Sequence, residues 1–310
     1  MATYHVGPAG WSYPDWDGVV YRARKGRGFH ALSYLAGFID IVEVNSTFYR
    51  PAPPAMVRAW LERIEDHPGF RLSLKLYRAF THPREGFSRK DIDDVRRAAD
   101  LVRLRGRLAA LLVQFPWSFR HTPENAGYLE RLLEMFAGFP VAVEVRHASW
   151  DTPAFYGLLG EKGAAFCNID QPLFDASIGP SAVSTTPAFA YVRLHGRNAG
   201  NWFRKGAGRD ERYDYLYARD ELEDWIARIK DLGAKSGKVY VITNNHYRGQ
   251  AMANALQIRN MITGEKVDVP DLLLERYPAL REIVRAIRAG QMDLFEKDAG
   301  NGTSGEGGSL

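Results

Sequence analysis

Eight short apolar segments recur along this 310-residue chain, and each runs directly into polar or charged residues at its C-terminal end. In chain order the segments begin at Tyr4, Ile41, Phe70, Leu108, Val141, Ala164, Phe189 and Val239. Strands buried on both faces have near-continuous apolar sequences of this kind, and parallel strands need long connections between them. Because each connection is long enough for a crossover helix, the pattern predicts a single TIM-type (β/α)8 barrel of the α/β class.

Apolar residues recur at helical spacing in the connections, for example over residues 54–64, 91–104, 124–136, 219–232 and 249–262. The connection over residues 196–217 is long and rich in glycine, arginine and aromatic residues, which is typical of a functional lid. After the eighth unit the pattern predicts one further amphipathic helix over residues 280–288. We therefore expect a barrel domain over residues 1–289 and a flexible tail over residues 290–310, of which residues 298–310 are rich in glycine and serine.

The composition indicates a cytoplasmic protein with a basic body. The single cysteine, Cys167, cannot form an intramolecular disulfide, and neither a secretory signal nor an apolar run of membrane-spanning length is visible. The formal net charge is +4, and because the segment from Gly290 onward carries four acids and one base, the rest of the chain carries +7. A positive body weakly favours anionic partners.

Polar and charged residues stand at the strand ends, which is where TIM barrels carry their chemistry. Side chains two residues apart point the same way, so Glu144 and Arg146 share one face of their strand. The candidate catalytic residues are Glu43, Glu144, Asp170 and His195. The candidate substrate-binding residues are Asn45, Lys75, Gln114, Arg146, Arg193, Asn244 and Asn245, with Trp11, Trp150 and Trp202 as surfaces for stacking on a base or a sugar ring.

Two other interpretations of these residues stay open. In the first, the charged residues form a network of salt bridges that fills the top of the barrel and has a purely structural role, since buried charges have to be paired. Alternatively, carboxylates and imidazoles could hold a divalent metal ion, with Glu43, Glu144, Asp170, His147, His195 and His246 as candidate ligands. Lys75, Arg146 and Arg193 would repel a cation at the same place, so a small anion or a phosphate suits this lining better than a metal.

Several sequence motifs together resemble one known family. They include Gly10-Trp11-Ser12-Tyr13, Val42-Glu43-Val44-Asn45-Ser46-Thr47-Phe48-Tyr49, Gln114-Phe115-Pro116, Glu144-Val145-Arg146-His147, Tyr191-Val192-Arg193-Leu194-His195-Gly196-Arg197 and Asn244-Asn245-His246. In this order the chain is similar to the YecE-like family, also called domain of unknown function 72, from about residue 4 to residue 262. The resemblance implies a TIM-barrel-like fold and brings no established activity with it.

Three functions are compatible with the strand-end residues. The first is an enzyme, either a hydrolase, a lyase or an isomerase, that acts on a phosphorylated or nucleic-acid-related substrate. Glu144 or His195 would then be the general acid–base, and Lys75 and the arginines would bind phosphate. The second is a carbohydrate-active barrel that uses Glu43 and Glu144 as a carboxylate pair. The third is a non-catalytic module that binds a nucleotide or a protein partner.

The tail contains a short motif of its own, Gln291-Met292-Asp293-Leu294-Phe295. It resembles the motif by which proteins bind the bacterial sliding clamp, in which the glutamine makes hydrogen bonds and the Leu-Phe pair fills an apolar pocket. The resemblance implies the replication clamp as a partner through Gln291, Leu294 and Phe295, and hence a role in DNA metabolism. The alternative is that Leu294 and Phe295 pack a final helix against the barrel.

Overall fold

The apolar segments form eight parallel strands in the computed structural model, which describes residues 2–202, 204 and 209–285. The strands are β1 Thr3–Pro8, β2 Ile41–Val44, β3 Arg71–Lys75, β4 Leu108–Gln114, β5 Val141–Glu144, β6 Ala165–Asp170, β7 Ala190–Leu194 and β8 Lys238–Thr243. Their spatial order is β1-β8-β7-β6-β5-β4-β3-β2, so each strand lies beside its neighbours in sequence and β1 also pairs with β8. This order is the TIM-type barrel that the sequence predicts.

The barrel closes where β1 meets β2. The backbone N–H of Gly10 donates to the carbonyl of Glu43 at 2.8 Å, and the N–H of Asp40 donates to the carbonyl of Val6 at 3.2 Å. At this seam Gly7 lies so close to β2 that a Cβ atom would sit 1.8 Å from the carbonyl oxygen of Ile41. Glycine at position 7 therefore permits the approach of the two strands.

The helices surround the strands. They are α1 Ala31–Ala36, α2 Pro54–Arg63, α3 Arg89–Leu104, α4 Pro123–Met135, α5 Pro153–Glu161, α6 Ala199–Trp202, α7 Arg209–Arg212, α8 Arg219–Lys235, α9 Gln250–Thr263 and α10 Asp271–Arg276. The five helices predicted from periodicity correspond to α2, α3, α4, α8 and α9. Local chemistry sets their starts: at α4, for example, the Thr122 hydroxyl accepts a hydrogen bond from the N–H of Asn125 at 3.2 Å, and Pro123 occupies the first helical position.

The connection from β6 to β7 has no helix, although the sequence pattern predicts a complete set of eight β-α units. Prolines at 172, 180 and 187 interrupt the segment, and proline removes a helical hydrogen bond. The segment instead bonds to β6: the Thr185 hydroxyl donates to the carbonyl of Ala164 at 2.7 Å, and the N–H of Val183 donates to Asn168 Oδ1 at 2.8 Å. The unit after β6 is thus a loop held against the strand.

The helix predicted over residues 280–288 is wrong for its described part. A short 3-10 helix, Pro278–Glu282, occupies its start. Val284 then pairs with Val267, where the N–H of Arg285 donates to the carbonyl of Val267 at 2.8 Å, so these backbone groups are not available to a helix. The extra C-terminal helix is α10, a few residues earlier. Residues 286–310 lie outside the described residues. They include the predicted domain boundary at 289/290, the predicted flexible tail and the clamp-type motif.

The connection after β7 folds over the carboxyl ends of the strands. Its described part contains α6 and α7, which bring Trp202 and Arg212 to the barrel opening. Apolar residues of α8, among them Trp225 and Ile229, are fully buried against the strands nearby. In the portion of the chain that the structure describes, no helix is long and apolar enough to span a membrane.

Candidate functional site

A cavity of about 840 Å³ opens at the carboxyl ends of the strands. Every strand of the barrel except β6 contributes at least one residue to the lining, either from the end of the strand or from the loop that follows it. The lining comprises Gly10, Trp11, Ser12, Tyr13, Asn45, Ser46, Phe48, Tyr49, Lys75, His82, Gln114, Pro116, Trp117, Arg146, Trp202, Arg212, Tyr213, Asn244 and His246. Its volume lies in the range of small-molecule binding sites, about 300–1,000 Å³. We call this cavity the mouth.

A cluster of paired charges lies directly below the floor of the mouth. Arg193 is 1% exposed and stands between two carboxylates that are completely buried, Glu43 and Glu144. One guanidinium nitrogen lies 2.7 Å from Glu43 Oε1, and another binds Glu144 Oε2. Because none of these three residues lines the mouth, they are in position to hold other side chains and are not exposed to a ligand.

The ion pairing keeps both Glu144 and Arg193 in their charged forms. Burial opposes ionisation of Glu144, yet Arg193, Arg146 and His195 hold the pKa of its carboxyl well below the usual range. Burial likewise opposes the charge on Arg193, and the two carboxylates raise the pKa of its guanidinium well above its ordinary value. Opposite charges at close range favour both ionised forms, so the cluster is a fixed set of charges.

Arg146 connects the buried cluster to the mouth. Its guanidinium binds Glu144 Oε1 at 2.8 Å and also lies 5.5 Å from the centre of the Trp202 ring. The side chain is 11% exposed, and it lines the cavity. Glu144 therefore fixes the position of a cation that a ligand can reach.

His195 belongs to the same cluster and is neutral. Burial lowers the pKa of its imidazole to about 3, against the opposing charge of Glu144. Its Nε2 lies 3.3 Å from Glu144 Oε1, and its Nδ1 lies 2.9 Å from the side-chain amide of Asn244. Since Glu144 is an ionised acceptor, the ring proton belongs on Nε2 and the Asn244 amide donates to Nδ1. His195 is fully buried, so it orients Asn244, which lines the mouth.

Lys75 is the charged residue at the floor with the fewest protein partners. Its side chain is half-buried, and Nζ lies 4.3 Å from the centre of the Phe48 ring. Within the described residues the ammonium has no hydrogen bond and no ion pair with a carboxylate. Burial and the charge of Arg193 lower its pKa to about 8, against the opposing carboxylates of Glu43 and Glu144. Lys75 can therefore exchange its proton near neutral pH.

Aromatic side chains form the upper wall of the mouth. The Tyr13 ring stacks on His246 with a centroid distance of 4.3 Å, and Trp11 packs edge-on against Trp60 at 5.9 Å. Tyr49 is exposed at the edge of the cavity. This mixture of rings above polar groups offers surfaces on which a planar ligand group can stack.

Three of the predicted site residues, Asp170, Trp150 and Asn245, lie neither in the lining of the mouth nor in the cluster below it. Asp170 is bound by Arg197 Nε at 2.9 Å, on the side of β6 opposite to that of Cys167. Cys167 occupies the inner face, where burial and then the charge of Glu144 raise the pKa of its thiol. Trp150 is completely buried and donates from its indole to the carbonyl of Phe119 at 2.7 Å. Asn245 donates to the carbonyl of Tyr215 at 2.8 Å. All three support the surrounding structure.

Of the other predicted binding residues, seven line the mouth: Asn45, Lys75, Gln114, Arg146, Asn244, Trp11 and Trp202. Arg193 lies below them with the predicted catalytic residues Glu43, Glu144 and His195. The cavity also includes Tyr13, His82, Arg212 and Tyr213, which the sequence analysis did not assign to the site. Their positions in loops that follow strand ends were the available signal, since such loops carry the sites of TIM barrels.

Most of the candidate metal ligands are bound to other protein groups. Among the residues that the structure describes, no three His, Cys, Asp or Glu side chains come together as a metal site. The carboxylates of Glu43 and Glu144 are taken by guanidinium groups, and Asp170 faces Arg197. His147 bonds to Ser149 Oγ at 2.9 Å and does not line the cavity.

Comparisons with known proteins agree on the family of this barrel. The family model described as "Protein of unknown function DUF72" matches residues 5–278. The UPF0759 protein YunF of Bacillus subtilis (strain 168) is 28% identical over 271 residues, which are 83% of this chain and 94% of YunF. A crystal structure of a DUF72 family protein from Thermotoga maritima MSB8 has a TM-score of 0.72 at 33% identity and covers 84% of this chain and 99% of that one. Another, from Enterococcus faecalis V583, has a TM-score of 0.73 at 25% identity and covers 87% and 98%.

Proposed function

The chain belongs to the DUF72 family, and on that premise we propose that the mouth is the active site of an enzyme acting on a phosphorylated or nucleic-acid-related substrate. The observation that carries this proposal is the charge balance of the mouth and of the cluster directly below it. Four cations (Lys75, Arg146, Arg193 and Arg212) stand against two carboxylates, Glu43 and Glu144, which leaves a net charge of +2. A phosphate group supplies the missing negative charge.

The excess charge is located where a ligand can reach it. Arg193 is neutralised below the floor by its two carboxylates, and Arg146 shares Glu144 with it. Among the residues that the structure describes, Lys75 has no carboxylate partner, and Arg212 is exposed at the edge of the mouth. Hydrogen bonds to charged groups contribute about 1.5–3 kcal/mol each, so two such contacts are enough for a specific phosphate site.

The side chains around the cations suit the rest of such a substrate. Asn45, Gln114 and Asn244 place amides in the lining, and amides fix the orientation of polar groups. The rings of Trp11 and Trp202 offer stacking surfaces for a base or a sugar. In this arrangement Glu144 and His195 act by positioning Arg146 and Asn244, and Lys75 is the group in the mouth that can carry a proton to or from the substrate.

The geometry gives less support to a carbohydrate-active enzyme. Glycoside hydrolysis needs one carboxyl group that reaches the glycosidic oxygen and a second that reaches the anomeric centre or a water. Glu43 and Glu144 are both completely buried, and both are bound by Arg193. We therefore favour the phosphate-bearing substrate and treat the reaction class (hydrolase, lyase or isomerase) as part of the proposal.

Binding of inorganic phosphate and of a nucleoside monophosphate, measured by titration calorimetry, tests the anion site. We expect Lys75→Met to weaken phosphate binding at least about tenfold, which corresponds to about 1.4 kcal/mol. Lys162→Met is the matched control, because Lys162 pairs with Glu130 and Glu134 outside the mouth. An unchanged affinity in Lys75→Met, or no phosphate binding by the wild type, would refute the proposal.

Catalysis is tested separately, by following a panel of sugar phosphates and nucleotides with phosphorus NMR. Turnover that is lost in Lys75→Met and kept in Lys162→Met is the expected result. Tight phosphate binding without conversion of any compound in the panel would instead support the alternative, a non-catalytic nucleotide-binding module.

A further inference from the structure

We propose that the Lys75 amine forms an imine with a carbonyl group of the substrate, so that the substrate class is an anionic aldehyde or ketone. The anionic part of this statement rests on the function proposed above. The carbonyl part rests on the surroundings of Lys75 alone. Neither the family nor the sequence motifs assign a covalent role to this residue.

Lys75 is accessible where the other reactive groups are not. Glu43, Glu144 and His195 are each 0% exposed, so no ligand in the mouth can contact them directly. Lys75 is the last residue of β3 and lines the cavity, with Nζ 4.3 Å from the centre of the Phe48 ring. The ammonium is therefore not held in an ion pair that would have to break before the nitrogen could react.

Charged groups face Lys75 from several elements. Arg193 from β7 and Arg146 after β5 disfavour its positive charge, while Glu43 from β2 and Glu144 from β5 favour it. His82, in the loop after β3, lines the same part of the cavity, and burial followed by the charge of Lys75 lowers its pKa to about 4. His82 is thus neutral beside Lys75. Desolvation is the largest influence on the pKa of Lys75, and the charges from β2, β5 and β7 act on it in both directions.

Desolvation makes a useful fraction of Lys75 neutral. A lysine with a pKa lowered from 10.5 to about 8 contains roughly 300 times more free amine at pH 7 than an ordinary surface lysine. Only the neutral amine has a lone pair for attack on a carbonyl carbon. A desolvated lysine in a partly apolar pocket is one of the settings in which proteins obtain a nucleophilic amine.

The reaction balances without any further reagent. The Nζ lone pair forms a bond to the carbonyl carbon while the C=O π bond breaks, and the oxygen takes one of the two hydrogens of the neutral amine. The resulting hydroxyl group then leaves with the second amine hydrogen as water, and a C=N bond forms. Reduction of this bond by borohydride adds hydride to carbon and a proton to nitrogen, which makes the link to Lys75 permanent.

The neighbouring residues select an anionic carbonyl compound. Arg146 is fixed by Glu144 and faces the same cavity, so a phosphate or carboxylate can bind there while the carbonyl carbon reaches Lys75. The side-chain amide nitrogen of Gln114 donates a hydrogen bond to the carbonyl of Phe115 at 2.9 Å. Its side-chain oxygen is therefore available to accept a hydrogen bond from the ligand. The mouth thus provides a covalent group and an anion site side by side.

The test uses pyridoxal 5′-phosphate as the anionic aldehyde and pyridoxal as its uncharged counterpart, each followed by borohydride and peptide mapping by mass spectrometry. We expect Lys75 to be modified first, and at least about tenfold faster by the phosphate-bearing aldehyde. Lys75→Arg keeps the cation but has no amine, so this variant should retain phosphate binding and lose the label. Lys162 and Lys235 serve as internal surface controls, since each pairs with exposed carboxylates.

The outcomes separate this inference from the proposed function. If both aldehydes modify Lys75 at equal rates, the reactive amine stands and the anion site is refuted. If phosphate binds in calorimetry while Lys75 is modified no faster than Lys162 and Lys235, the anion site stands and the imine is refuted. If Lys75→Arg is modified as fast as the wild type, the label lies elsewhere and the inference is wrong.

Discussion

Glu144→Gln should destabilise the barrel strongly, although glutamine has nearly the same shape as glutamate. Glu144 is completely buried and receives hydrogen bonds from Arg193 and Arg146. The substitution removes the negative charge that these guanidinium groups share and puts an amide nitrogen near one of them. Uncompensated positive charge would then remain in a site from which water is excluded.

The size of the expected loss in unfolding free energy depends on which partners Arg193 and Arg146 keep in the variant. Removal of one partner from a buried ion pair costs about 3–5 kcal/mol. Arg193 keeps Glu43 at 2.7 Å, and the glutamine oxygen can still accept one hydrogen bond, so we expect the lower end, about 3 kcal/mol. A loss of that size is a large fraction of the total stability of a typical domain, about 5–15 kcal/mol.

The pH dependence has a definite sign. The folded pKa of Glu144 lies well below its ordinary value, so the stabilisation is fully present above the unfolded carboxyl pKa of about 4.3 and is lost as the pH falls through the folded pKa. The difference in unfolding free energy between wild type and variant should therefore be constant from about pH 5 to pH 8 and shrink only below about pH 4.

Urea unfolding followed by both circular dichroism and tryptophan fluorescence measures this difference. Glu62→Gln is the control, because Glu62 is exposed on α2 and should change the stability by less than about 0.5 kcal/mol. If Glu144→Gln were as stable as that control, the buried carboxylate would not be needed to compensate the arginines, and the description of the cluster as a set of paired charges would be wrong.

Three further predictions concern the mouth, the seam and the tail. Sulfate affinity, measured by calorimetry, should fall about tenfold from pH 7 to pH 9, because the charged fraction of Lys75 drops as the pH passes its pKa of about 8. In Lys75→Arg the sulfate affinity should stay constant over this range, because arginine keeps its charge. Gly7→Ala should cost about 1–3 kcal/mol or more in urea unfolding, since its Cβ would meet the carbonyl of Ile41, whereas Gly69→Ala, with open space around it, should be nearly neutral. We also propose that the tail binds the bacterial sliding clamp through Gln291, Leu294 and Phe295, with an affinity in the micromolar range, on the order of −8 kcal/mol. Clamp binding that persists in a chain ending at Gly290 would contradict this proposal.

The sequence by itself determined the barrel and the family. A run of apolar residues that ends in polar ones marks a strand and its carboxyl end, because burial on both faces excludes polar side chains until the strand leaves the core. The helices follow from local signals in the same way, as Thr122 and Pro123 do for α4. These are short-range properties, and they fix which residues stand near the barrel opening.

Tertiary structure decided which of those residues face the mouth. Alternation along a strand relates Asp170 to Asn168, but the absolute direction depends on the register of all the strands around the closed barrel. That register turns Asp170 outward to Arg197. The same long-range closure brings Glu43 to Arg193 across 150 positions of sequence, so that the carboxylates expected to be catalytic are held below the floor. In the described part of the chain Lys75 has no carboxylate partner, because Arg193 and Arg146 already bind Glu43 and Glu144. Only the folded barrel puts these charges within reach of one another.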